Sequence, residues 1–146
     1  MLDPAGPVSL LLVEDDPSDV MMVEEALADW VVPTVLHVAT DGVQATDFLR
    51  RVGGYADAPR PALILLDLNM PRKGGLEVLA DIKRDEDLRT IPVVVFSTSS
   101  EPRHISASYD GHANAYVVKP TDFDNFSRVV QKIDQFYTRT VAQPRD

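Results

Sequence analysis

Polar side chains stand directly after four short apolar runs in this chain: Glu14 and Asp15 after Val8 to Val13, Asp67 after Leu63 to Leu66, Ser97 after Val93 to Phe96, and Lys119 after Ala115 to Val118. Three carboxylates brought together cannot all stay ionised without compensation, because each disfavours the others' charge. A cation is therefore implied. With no cysteine in the chain and no suitably placed histidine, the ligands on offer are oxygens, which select a hard ion. One or two direct carboxylates completed by water suit Mg2+. A carboxylate beside such an ion can attack a phosphoryl group and become an acyl phosphate. The ion, an ammonium and a hydroxyl would then surround the three phosphoryl oxygens. On this reading Asp67 is the nucleophile. Glu14, Asp15 and Asp67 face the metal, Asn69 offers it a backbone carbonyl, and Ser97 and Lys119 bind phosphoryl oxygens.

Each of these residues also has a plainer role. Asp16 is most simply the cap of a helix beginning at Pro17, where one side-chain oxygen satisfies free N–H groups, and it is not counted as a ligand. Glu14 and Asp15 can serve as helix-terminus charges, although a helix start needs one acceptor rather than three. Asp67, ahead of Leu68-Asn69-Met70-Pro71, suits a turn. Ser97 opens the loop-like run Ser97-Thr98-Ser99-Ser100-Glu101, and Lys119 can be a solvated strand-end cation. Taken singly these roles hold. Such groups at four strand ends at once favour a site.

To converge, the apolar runs must be strands of one parallel sheet. Runs at 8–13, 35–39, 63–66, 93–96 and 115–118 alternate with helical patterns near 17–30, 42–51, 76–84, 102–109 and 122–137, the arrangement of an α/β sheet with helices on both faces. The fold class expected is a doubly wound five-stranded parallel sheet, (βα)5, with the order 2-1-3-4-5 taken from a family resemblance and not from the alternation itself. Ligands bind such sheets outside the carboxyl ends of the strands, where the order reverses, here between strands one and three. The second run, with His37 and followed by Thr40, suits a sheet edge. The first helix has Met22, Val23, Ala26, Leu27 and Trp30 on its apolar face, and the last has Phe123, Phe126, Val130, Ile133 and Tyr137 at helical spacing. Val129 and Phe136 widen that last stripe, which either seals the domain edge or meets a second copy of the chain.

The chain has 146 residues, 23 acidic against 14 basic, for a net charge of −9. A chain of this length buries roughly 68–70% of its unfolded surface, enough for one core without disulfide or metal staples. The absence of cysteine fits a reducing cytoplasmic setting and excludes zinc-thiolate, iron–sulfur and thiol chemistry. No basic leader and no run of about eighteen apolar residues occurs, so a membrane span is not expected. An acidic chain without a Lys/Arg tract is a poor binder of nucleic acid, whose backbone attracts cations. Residues 1–7 read as an N-terminal tail, 8–140 as one domain and 141–146 as a C-terminal tail, with no separate output domain.

The segments Leu11-Leu12-Val13-Glu14-Asp15-Asp16-Pro17, Leu65-Leu66-Asp67-Leu68-Asn69-Met70-Pro71, Ile91-Pro92-Val93-Val94-Val95-Phe96-Ser97-Thr98 and Ala115-Tyr116-Val117-Val118-Lys119-Pro120, in that order and spacing, resemble a response-regulator receiver domain, the phosphoacceptor of two-component phosphorelays. The resemblance runs from about Val8 to Tyr137 and implies the flavodoxin-like fold. It implies that Asp67 accepts a phosphoryl group from a histidine kinase, that Glu14 and Asp15 are the acidic pair, that Ser97 is the switch hydroxyl and Lys119 the phosphate-binding lysine, and that Tyr116 is the mobile aromatic. A cis Lys119–Pro120 peptide is also implied, and a tertiary amide makes cis inexpensive. The stretches from Asp67 to Gly75 and from Ser108 to Tyr116 are similar to stand-alone regulators paired with bacterial phytochrome kinases.

By the same resemblance the chain signals rather than turning over substrate, assisting only its own phosphorylation and dephosphorylation. Phosphorylation adds about two negative charges near Ser97, whose hydroxyl would move in while Tyr116 turns, changing the surface of the fourth helix, fifth strand and fifth helix by population shift. Two other readings stay open. A Mg2+-dependent aspartyl-phosphate hydrolase needs an acid two residues beyond the nucleophile, and Asn69 stands there. A receiver-like interaction module that is never phosphorylated would not need the site residues to be intact.

Overall fold

Buried on both faces, a parallel strand reads as an unbroken apolar run, and the runs here become β1 (Val8–Val13), β2 (Thr34–Ala39), β3 (Leu63–Leu66), β4 (Val93–Ser97) and β5 (Ala115–Val118) in the computed structural model, which describes residues 8–29 and 33–142. All pairings are parallel, in the order β2-β1-β3-β4-β5. Every residue of β3 and β4 is buried, whereas β2 and β5 are only partly covered, as edge strands are.

Because successive strand side chains point to opposite faces, the core divides into two layers. Leu11, Val13, Ile64, Leu66, Val93 and Val95 pack under α2 (Gly42–Arg50) and α3 (Gly75–Arg84), through Ala45, Phe48, Val78, Leu79 and Ile82. Leu10, Leu12, Leu63, Leu65, Val94 and Phe96 pack under α1 (Pro17–Ala28) and α5 (Phe123–Gln135), through Val23, Ala26, Leu27, Phe126, Val130 and Ile133. Truncating one of these large side chains to alanine removes about 2–5 kcal/mol, so the layers fix the strand ends firmly. The remaining helix, α4 (Pro102–Asp110), buries only Ser108.

Helix starts follow the caps. Asp16 accepts from the Ser18 N–H at 2.9 Å with Pro17 at the first helical position. Asp41 accepts from Gln44 N–H at 2.8 Å, and Asp122 from Asn125 N–H at 3.0 Å. Arg51 ends α2 in the left-handed conformation, φ 57°.

The structure departs from the sequence expectations in a few places. The second strand gains Thr34, and Ser97 is the last residue of β4 rather than the first of a loop. The last helix passes at Phe136 into a π-helical turn, Phe136–Thr140, held by Thr138 Oγ1 donating to the Asp134 carbonyl at 2.6 Å. On the expected stripe Phe126, Val130 and Ile133 are buried, but Phe123 and Phe136 are exposed. The Lys119–Pro120 peptide is trans, correcting the cis expectation: no described peptide bond is cis, and even before proline trans is favoured by about 0.5–1 kcal/mol. Trp30 and the tail 1–7 lie outside the described residues, as do 143–146 of the C-terminal tail.

Candidate functional site

The chain leaves β1 and β3 in opposite directions, opening a crevice at their carboxyl ends. Ladder hydrogen bonds run one residue past the strands: Glu14 N–H donates to the Ala39 carbonyl at 2.9 Å, and Asp67 N–H to the Val13 carbonyl at 3.0 Å. These place the two carboxylates side by side. Glu14, Asp15 and Asp67 each present an oxygen within 4.8 Å of the others, with Glu14 and Asp67 buried and Asp15 exposed. The loop after Asp67 is pinned by an Arg72–Asp41 ion pair at 2.9 Å, a Lys73–Asp81 pair, and Gly75 N–H donating to the Leu68 carbonyl at 3.0 Å.

Lys119 enters from β5. Its N–H donates to the Ser97 carbonyl at 2.7 Å, and its ammonium passes 5.8 Å from the centre of the Phe96 ring. It reaches Glu14 Oε1 at 2.5 Å and Asp19 Oδ2 at 2.7 Å. The crevice, about 440 Å3, is lined by Glu14, Asp15, Asp16, Pro17, Asp19, Asp67, Asn69, Thr98 and Lys119. A larger groove of about 550 Å3 lies at the amino ends of the strands, among Arg50, Arg60, Asp85 and Leu88. Size therefore does not mark the site. The one group of metal-ligating side chains among the described residues lies in the smaller crevice.

Burial pushes the Glu14 carboxyl up to about 7; the Asp67 charge acts the same way, and the hydrogen bond and charge of Lys119 offset them only in part. Asp67 is also raised, chiefly by burial, with the Lys119 charge, a hydrogen bond to Glu14 and the backbone N–H groups of Leu68 and Asn69 pulling it back. Burial works against the Lys119 ammonium, but its bonds to Asp19 and Glu14 and the nearby Asp67 charge outweigh this and hold its pKa above the usual lysine value. One ammonium does not balance the five carboxylates that line the crevice. A divalent ion on Glu14, Asp15 and Asp67 fits both that deficit and the all-oxygen donor set.

Of the residues expected from sequence, Glu14, Asp15, Asp67, Asn69 and Lys119 meet in the crevice. Ser97 is fully buried at the end of β4, where its Oγ accepts from Ser99 N–H at 3.3 Å, and Thr98 forms that part of the wall. Tyr116 is half-buried, and its hydroxyl donates to the Ser99 carbonyl at 2.8 Å, tying β5 to the loop that follows Ser97. Pro120 follows Lys119 and ends β5. Sequence reasoning missed Asp19 and Thr98. A carboxylate at Asp19 suits the first turn of α1 as well as it suits a site, and strand alternation past Ser97 is the only signal for Thr98.

Comparison with known proteins bears on the family. The response regulator Rcp1 of Synechocystis sp. is 44% identical over 138 residues, 94% of each chain. The crystal structure of the phosphorylated cyanobacterial phytochrome response regulator RcpA superposes with a TM-score of 0.91 at 44% identity, covering 96% of this chain and 100% of that one. The Mn2+-bound form of Rcp1 gives 0.88 at 43% identity, covering 95% and 100%. Residues 10–131 match the family model described as the response regulator receiver domain, and the chain belongs to that family, with close similarity to phytochrome response regulators.

Proposed function

We propose that Asp67 is the phosphoacceptor of a two-component phosphorelay, receiving its phosphoryl group from the phosphohistidine of a sensor histidine kinase of the bacterial phytochrome type. The observation that carries this is the meeting of Glu14, Asp15 and Asp67 within 4.8 Å beside the Lys119 ammonium. The relatives named above, one phosphorylated and one Mn2+-bound, support it. An Asp67 carboxylate oxygen attacks phosphorus as the P–N bond to histidine breaks, and the histidine nitrogen keeps the electron pair. Glu14, Asp15, Asp67 and the Asn69 carbonyl would hold Mg2+, which supplies charge neutralisation at the phosphoryl oxygens. Leu68 and Asn69 N–H groups steady the nucleophile, and Lys119 provides a cation for the transferring group. Ser97, Ser99 and Tyr116 form one hydrogen-bonded path from the site to β5, the route by which the surface of α4, β5 and α5 would respond.

Asn69 stands two residues beyond the nucleophile where a hydrolase of this chemistry places an acid, which supports a signalling role over turnover. The net charge of −9 supports protein partners over nucleic acid, and the chain without cysteine fits a cytoplasmic setting; no described helix is long and apolar enough to cross a membrane. Exposed Phe123 and Phe136 support a homodimer through the last helix, checked by light scattering at micromolar concentration, where a monomer mass would exclude it. The test of the main reading is acetyl phosphate with Mg2+ followed by intact mass. One labile phosphoryl adduct on the wild type and none on Asp67→Asn is expected. Continuous phosphate release from generic monoesters would point to a hydrolase instead, and no adduct to an unphosphorylated interaction module.

A further inference from the structure

Asp19 holds the third position of α1, where a Glu or Gln side chain can reach back to the N–H of the capping residue. That N–H, on Asp16, is already taken by Glu14 Oε2 at 3.2 Å. Asp19 turns instead to Lys119 Nζ at 2.7 Å, across 100 residues of sequence. The pair is well shielded, with the lysine side chain 5% and the Asp19 side chain 18% exposed. Lys119 has three N–H donors, and two are engaged by Glu14 and Asp19. Neither of these partners is Asp67, although Asp67 feels the lysine's charge.

The two anchors differ. Glu14 belongs to the cluster of prospective metal ligands, whereas Asp19 does not. A cation on Glu14 competes with Lys119 for the same carboxylate, which leaves Asp19 as the anchor the metal does not contest. We infer that Asp19 is a positioning residue for phosphoryl transfer: its carboxylate holds the Lys119 ammonium over the crevice while Glu14 serves the metal, so that a free N–H donor meets the phosphoryl oxygens on Asp67. The inference rests on the phosphoacceptor reading above.

The test compares wild type, Asp19→Asn and Asp19→Glu for Mg2+ affinity, for affinity of the phosphoryl mimic beryllofluoride at saturating Mg2+, and for the acetyl phosphate reaction. Loss of the anchor that keeps Lys119 over the crevice once Glu14 serves the metal is expected to weaken the mimic about tenfold and slow phosphorylation similarly. Mg2+ affinity should move less than about threefold, and Asp19→Glu should recover part of the loss. The Lys119 ammonium resonance, followed by 15N NMR, should be slowed in exchange in the wild type and lost in Asp19→Asn, a readout independent of phosphoryl chemistry. Unchanged mimic binding in a folded Asp19→Asn would overturn the inference, as would tighter binding, which would make Asp19 a restraint on the lysine. Parallel loss of Mg2+ and mimic affinity would reduce it to a general electrostatic effect and also overturn it. A wild type that binds no mimic at all would overturn the phosphoacceptor reading itself.

Discussion

Replacing Gly75 by alanine tests whether the backbone that carries Asp67 is held as tightly as the structure implies. Gly75 opens α3, and a Cβ there would lie 2.3 Å from the Asp67 carbonyl oxygen and 2.7 Å from Leu68 Cα. Ordinary contact begins near 3.4 Å, so α3 and the Asp67 loop must part by on the order of 1 Å, as overpacking forces. Both obstacles are backbone and cannot swing aside like a flexible side chain. The loop cannot give freely either, since Arg72 is tied to Asp41 and Lys73 to Asp81. Overpacking of this kind costs about 1–3 kcal/mol, a fall in Tm of roughly 3–12 °C for a domain of this size. A displacement of about 1 Å at the nucleophile also slows the reaction by as much as ~100-fold. Thermal melts and single-turnover phosphorylation by acetyl phosphate measure the two effects. Gly111→Ala is the control, because its Cβ would press mainly on the flexible end of Leu79 at 2.9 Å, away from the site; it should lose stability without a comparable loss of rate. Gly75→Ala phosphorylating at the wild-type rate would refute the claim that this close approach positions Asp67.

Mg2+ at about a hundred times its Kd should stabilise the fold by ~2.7 kcal/mol, with most of the gain lost in Asp15→Asn. Because burial lifts the Glu14 carboxyl to about 7, protons compete for that ligand below this pH. Mg2+ affinity measured by calorimetry should therefore fall as pH drops from 8 to about 6, and a flat profile would remove Glu14 from the ligand set. At the other end of α5, Asp134 is fully buried, faces the Thr34 hydroxyl at 3.0 Å and feels the charge of Arg139. Burial raises its pKa, so as pH climbs through the ordinary carboxyl range the unfolded chain gives up its proton first and stability declines, levelling once the folded carboxyl has ionised. Asp134→Asn should flatten that decline and gain about 1 kcal/mol at pH 8. Urea melts at pH 5 and pH 8 that shift equally for both proteins would contradict it.

The parts of the fold that could be read from sequence were those governed by local pattern. Leu63 to Leu66 and Val93 to Phe96 are unbroken apolar runs because both sheet faces are covered, and Asp16-Pro17 announces a helix start by its capping chemistry. The carboxylate cluster was legible too, because strand ends in a parallel sheet share one edge, and Glu14, Asp15 and Asp67 each follow a strand. What escaped depends on distances that no local pattern encodes. The partners of Lys119 are set by tertiary distance, which brings Asp19 to 2.7 Å across 100 residues while Glu14 bonds both the lysine and the Asp16 N–H. Ser97 and Thr98 have similar hydroxyls, and only strand geometry buries the first and exposes the second to the crevice. The trans Lys119–Pro120 bond and the π-helical turn at Phe136 likewise follow from small energy differences settled by tertiary packing.

The distribution of burial also decides which part of the surface can answer an event at Asp67. Gly75 brings α3 into direct contact with the Asp67 loop, yet α3 and α2 drive several apolar side chains into the core and cannot shift without exposing them. By contrast, α4 buries Ser108 alone and is attached mainly by polar links: Ser99 Oγ to His104 Nδ1 at 2.6 Å, Ser99 Oγ accepting from Glu101 N–H at 3.2 Å, and Tyr109 Oη accepting from Tyr116 N–H at 3.1 Å. Elements with little apolar burial occupy the low end of local stability, and hydrogen bonds exchanged for others cost less than buried area lost. Ser99 joins these links to Ser97 Oγ through its N–H and to Tyr116 through its carbonyl. A phosphoryl group that drew the Ser97 hydroxyl toward Asp67 would disturb a bond of 3.3 Å, the longest of Ser99's contacts. The disturbance would then pass to α4 and β5, where rearrangement is cheapest, and not to the packed helices nearer the acceptor.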